Sequence, residues 1–222
     1  MIVTTFLNTE EYVFTQAECD RIQAVSEAAE QEVREWLPQL AVKVELVVEA
    51  GTKVIPTTGE TGRTLSGKQQ VTWTVDPFRA EGVMAIASAH LRPTLIHELN
   101  HIVRTQGKSK ADLWQRQLLD YVVSEGLATA FAREVSGRLP PWGEYPVNVQ
   151  SWVEELLALH LNTPHQEWMF KHPDGRRWIG YKAGTYLVDQ AIAASGLPFS
   201  VLTETPTSEI IKLAGFSFDH SD

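Results

Sequence analysis

Residues 94–104 read TLIHELNHIVR, and no other stretch constrains the chain as tightly. Wound as an α-helix at about 100° per residue, it separates into two faces. Leu95, Ile96, Leu99, Ile102 and Val103 fall on one apolar arc. His97 and His101 stand together on the other side, one turn apart, with Glu98 beside them and offset around the axis. Two imidazoles at i and i+4 converge on one metal ion, and a carboxylate directly after the first is placed to work on a water molecule. An ordinary surface helix would present Lys, Glu, Gln and Asp on its second face. This one presents Thr94, His97, Glu98, His101 and Thr105, with Arg104 at the edge. The fold therefore has to bury this helix by one face and keep the other approachable.

A catalytic zinc takes three protein ligands and keeps one position open, so a further ligand has to come from elsewhere in the chain. The text LLDYVVSEGLATAFARE, 118–134, holds the candidate. Helical winding puts Trp114, Leu118, Tyr121, Val122, Ala128 and Ala132 on the arc of Glu125, and Asp112, Arg116, Asp120 and Glu134 on the far side. A carboxylate within an apolar face is costly unless it is paired or metal-bound. Two readings stand: Glu125 as the third ligand, or Glu125 in a buried ion pair, for instance with Arg104. Asp120 ranks below it because it sits on the charged side. Gly126 points to a close helix approach. Glycine inside a helix costs roughly 1 kcal/mol against alanine and is tolerated where another backbone comes near. The helix expected to come near is the one carrying His97 and His101.

The remaining text supplies a scaffold. TQAECDRIQAVSEAAEQEVREWLPQL reads as a long amphipathic helix, opened by a Thr15/Glu18 capping box and closed by Pro38. Val42, Val44, Leu46 and Val48 alternate with polar neighbours, which predicts a half-buried strand. The stretch 51–68 carries four glycines and a proline and reads as a loop, with room for a short strand at Val54–Ile55. Val71, Trp73 and Val75 mark another strand; GVMAIASAH, 82–90, fits strand or helix equally. From residue 93 the text is helical, at about 93–105, 110–136, 147–162, 181–195 and 206–214, with Gly137 as a stop and a turn-rich aromatic segment at 163–180. The expected class is α+β: a small N-terminal mixed or antiparallel sheet with a long N-terminal helix, then a mainly helical part. One domain is expected over 1–222, its sheet-containing part about 1–90 and its helical part about 91–222.

Composition excludes some functions. The formal net charge of −9 and the absence of a basic patch argue against a nucleic-acid partner. The single Cys19 allows no internal disulfide framework. The N-terminal text lacks the basic and apolar regions of a signal peptide, and no apolar run reaches the ~18 residues of a membrane span. The expectation is a cytoplasmic protein without a membrane or nucleic-acid partner.

His97, Glu98, His101 and Glu125 together resemble a gluzincin, the metallopeptidase clan that pairs an HExxH helix with a Glu on a following helix. The interval from His101 to Glu125 is a few residues longer than in thermolysin-type enzymes, and Thr129 stands where those enzymes commonly carry an Asp. The order HELNHIVR, EGLA and GYKAG (Gly180–Gly184) is closer to a bacterial domain-of-unknown-function family of predicted zinc-dependent proteases, over roughly residues 90–215. The resemblance implies Zn²⁺ held by His97, His101 and Glu125, with Glu98 as general base and a peptide or protein substrate. Tyr181 is the candidate oxyanion donor, with packing in the core as its other reading. Arg104 and Thr129 are candidates for supporting the ligands, and His165 and His172 are further candidates in the turn-rich segment. The strand QVTWTVD is either an edge for an extended peptide or an interior strand. The competing classes are a non-catalytic or regulatory zinc-binding protein and a metallohydrolase acting on a small amide.

Overall fold

The structure, a computed structural model, describes residues 1–41, 43–65, 68–108, 118–160 and 163–217. The chain divides into two compact units, Met1–Lys108 and Ser109–Asp222.

In the first unit, β1 (Ile2–Leu7), β2 (Val44–Ala50), β3 (Glu60–Thr64) and β4 (Gln70–Val75) form one sheet in the order β1-β2-β4-β3. β1, β2 and β4 are parallel, and β3 runs antiparallel along β4. The alternation seen in the sequence is the burial pattern: Val44, Leu46 and Val48 of β2 and Val71, Trp73 and Val75 of β4 are fully buried. Val42 lies outside the described residues. Because β4 is hydrogen-bonded on both sides, the reading of residues 70–76 as an edge is corrected: the edges are β1 and β3. β3 itself lies in the stretch read as a loop. Gly62 replaces the side chain that would have revealed its alternation of Glu60, Gly62 and Thr64 against Thr61 and Arg63.

Parallel neighbours need a crossover, and α1 (Gln16–Trp36) supplies it between β1 and β2. The Thr15/Glu18 capping box is formed, and Ile22, Val25, Ala29 and Val33 make the buried stripe. The ambiguous stretch 82–90 is helical. It forms α2 (Gly82–Ile86) and most of a π-helical turn (Ala87–Leu91) that runs directly into α3 (Arg92–Thr105). A π turn holds one more residue than an α turn, so it resets which faces α3 presents. Leu95, Ile96, Leu99, Ile102 and Val103, the expected apolar arc, are all buried, and α3 packs on α1, β3 and β4.

The second unit is helical: α4 (Leu118–Ser136), α5 (Val149–Leu157), α6 (His165–Met169), α7 (Ile179–Ser195), α8 (Phe199–Leu202) and α9 (Thr207–Leu213). The start expected for α4, residues 110–117, lies outside the described residues. α4 stops at Gly137, whose φ of 69° suits the left-handed cap. α4 and α7 are the central pair, and they meet backbone to backbone. A Cβ added at Gly126 would lie 2.2 Å from the Gly184 carbonyl carbon, and one added at Gly184 would lie 2.0 Å from the Val122 oxygen. The reading of Gly126 is thereby corrected: the backbone it admits is that of α7. Gly126 of EGLA and Gly184 of GYKAG are two halves of one crossing.

α4 also departs from the two-faced helix drawn from the sequence. From Tyr121 to Ala132 every residue is buried except Tyr121 and Glu125, which lie one turn apart on one stripe and are half-buried. Over that span the helix has no exposed face. Of the charged side expected from the sequence, Asp120 and Glu134 lie outside the span and are not buried, and Asp112 and Arg116 lie outside the described residues. Among the described residues no helix is long and apolar enough to cross a membrane.

Candidate functional site

α3 carries the first part of the site. His97 and His101 are part-buried, and their Nε2 atoms face each other at 3.1 Å. Two Zn–N bonds of ~2.0–2.1 Å at a tetrahedral angle hold their nitrogens about 3.3–3.4 Å apart, so the pair fits one zinc ion with little adjustment. The same approach accommodates an N–H···N hydrogen bond between neutral rings. The rest of this face is covered as well: Glu98 is 7% exposed, Arg104 5% and Thr105 4%. Glu98 is therefore a buried carboxylate, not a surface one.

The partner of Glu98 comes from β3. The Thr64 hydroxyl lies 2.7 Å from Glu98 Oε2 and 2.9 Å from the Glu98 carbonyl oxygen, and donates toward both. Gly62, two residues earlier on the same face of the strand, leaves the space the glutamate occupies: a Cβ there would stand 2.9 Å from Glu98 Cγ and 3.0 Å from its Oε1.

Glu60 completes that face. It is 2% exposed, and its Oε2 accepts the Trp73 indole N–H at 2.8 Å. Burial pushes its carboxyl up to about 7, against hydrogen bonds from Trp73, Thr94 and Thr58 that lower it; the charge of Glu98 pushes it further up. The sign follows by linkage. A carboxyl raised in the folded state binds its proton more tightly there, so its contribution is fully present below pH 4.5 and fades as pH climbs to about 7. The shift corresponds to about 3 kcal/mol. Gln reproduces the protonated form, with an oxygen for the Trp73 N–H and a donor for a threonine hydroxyl. Glu60→Gln is therefore expected to melt with the wild type at pH 4 and above it at pH 8, in thermal scans at the two pH values. Equal melting at pH 8 would remove the buried-proton reading.

The second unit holds the other sequence candidates. Glu125 stands on the half-buried stripe of α4, one turn beyond Tyr121, whose ring stacks on His165 with centroids 4.5 Å apart. The burial cost used to single out Glu125 is thus smaller than the sequence suggested, because the stripe opens there. Asp120 accepts the Thr207 hydroxyl and so ties α4 to α9. The Thr129 hydroxyl is buried and makes no hydrogen bond among the described residues, and a Cβ at Gly143 would meet its methyl at 2.6 Å. Tyr181 lies in the first turn of α7, half-buried, its ring 6.4 Å from that of Phe170. That turn is opened by Trp178, the one non-glycine residue with positive φ among those described. His172 Nδ1 is 2.9 Å from Asp174 and its ring lies against Trp168, which gives it a place in the turn closed by the isolated Lys171–Arg177 bridge.

Sequence reasoning missed Glu60, Gly62 and Thr64. The available signal was a period of two in ETGRT, masked by its glycine.

His97, His101 and Glu125 each offer a ligand atom, and these atoms all lie within 4.8 Å of one another; among the described residues no fourth His, Cys, Asp or Glu joins the group. Known proteins add one finding: a family model described as "Predicted Zn-dependent protease (DUF2268)" matches residues 22–212. No curated protein and no solved structure matches the chain.

Proposed function

The chain belongs to the Predicted Zn-dependent protease family, and from that premise we propose that it hydrolyses peptide bonds with a metal-activated water and Glu98 as general base. The observation that carries this reading is the pair of imidazole nitrogens 3.1 Å apart on α3, with a buried carboxylate one residue along. His97, His101 and Glu125 would hold the ion. Three ligands rather than four among the described residues favour a catalytic site with an open position over a closed structural one. Bound zinc would supply a water acidified toward neutrality and a Lewis acid for the scissile carbonyl.

The chain's own residues perform the proton transfers. Glu98 takes one proton from the attacking water as its oxygen bonds to the carbonyl carbon, and delivers that proton to the departing nitrogen as the C–N bond breaks. The developing oxyanion needs a donor from the protein, and Tyr181, held at the start of α7, is the residue we assign to it. The substrate is a peptide or protein.

The first test is metal content. Purified protein is expected to carry about one zinc per chain, lost to chelator, and His97→Ala or His101→Ala is expected to abolish uptake. Folded wild-type protein that neither carries zinc nor takes it up when supplied would remove the site and the function with it.

A further inference from the structure

β3 is an edge strand whose inward face lies against Glu98. Three observations meet there. Thr64 donates to Glu98 Oε2 and to the backbone carbonyl of the same residue. Gly62 leaves room beside Oε1, where a Cβ would crowd both that oxygen and Thr94. Glu60, one position further along the same face, is fixed at 2.8 Å by the indole of the fully buried Trp73, so the strand is anchored to the sheet's interior next to α3. We propose that Thr64 is a positioning residue for the general base, holding Glu98 by one carboxylate oxygen so that the other faces the reacting water, with Gly62 keeping that second oxygen uncrowded. The proposal rests on the reading of Glu98 as general base.

The physical reason is rotameric. A glutamate side chain has three rotatable torsions, and a general base works only within hydrogen-bond reach of its proton. The Thr64 hydroxyl joins the side-chain and main-chain oxygens of one residue, which selects a curled conformer and holds it. Among the described residues no donor reaches Oε1, so the division of labour between the two oxygens is already set.

The test compares wild type with Thr64→Val and Thr64→Ser, zinc-loaded, on fluorescein-labelled casein. Valine keeps the branched shape and favours a strand, but has no hydroxyl; serine restores it. Thr64→Val is expected to lose about 10- to 100-fold in kcat, the scale of a misplaced catalytic group, with KM and zinc content unchanged. Thr64→Ser is expected to stay within about threefold of wild type. A second readout needs no turnover. In metal-free protein labelled with ¹³C-glutamate, the Glu98 carboxylate resonance, identified by its loss in Glu98→Gln, is expected to move in Thr64→Val and to stay in Thr64→Ser. Active wild type with Thr64→Val equal to it in kcat and in the Glu98 resonance overturns the positioning role alone. Zinc-loaded wild type that cleaves no casein or other peptide overturns the general-base reading and this inference together.

Discussion

Glu98→Gln is expected to leave zinc content and thermal stability near wild type and to lower hydrolysis of casein by a factor on the order of 10²–10⁴, the range of a lost general base. The change isolates chemistry from architecture. Gln is isosteric with Glu, and its amide oxygen accepts from the Thr64 hydroxyl as Oε2 does now. The main-chain bond from Thr64 to the carbonyl of residue 98 is indifferent to the side chain. What the amide cannot do is take up a proton at neutral pH. His97 and His101 keep their approach because it is set by their spacing on α3. Steady-state kinetics and metal analysis on the same preparation check both halves of the prediction. Retained turnover with zinc in place would move the base to another residue, and the buried Glu60 would be the first to examine.

The site was legible to the extent that it is local. HELNH places two imidazoles and a carboxylate by helix geometry alone, and the apolar arc of α3 is buried as its spacing requires. The strand of Val44, Leu46 and Val48 and the capping box at Thr15 were equally local. What was hidden depends on a second element. β3 has no apolar alternation, since its inward face is Glu, Gly and Thr, and it becomes a strand by pairing with β4 and by what Thr64 and Glu60 touch. α4 reads as amphipathic only until α7 and α9 cover its other sides. Gly126 signalled a close approach correctly, yet a sequence cannot say which backbone makes it. The partner, Gly184, lies in GYKAG, which reads in the sequence as an independent motif.

That pairing carries the largest expected effect on stability. Gly126→Ala and Gly184→Ala are each expected to lower stability by roughly 1–3 kcal/mol or more, the cost of overpacking, after the roughly 1 kcal/mol that alanine returns through helix propensity. The contacts at 2.2 and 2.0 Å are with backbone, which cannot rotate aside as the Met169 side chain can at Gly180. The helices must therefore separate. For a chain of this length each kcal/mol moves the melting temperature by about 2–4 °C, so a fall of roughly 2–12 °C is expected in a thermal scan. The double variant is expected to cost less than the sum, because one separation of α4 from α7 makes room for both methyl groups. Activity should fall along with stability. Glu125 is the neighbour of Gly126 on α4, and Tyr181 stands one turn before Gly184 on α7, so moving the crossing moves both side chains off their places. Alanine variants that melt at or above wild type would mean that the two backbones are not in contact, and that the glycines of EGLA and GYKAG serve some other purpose.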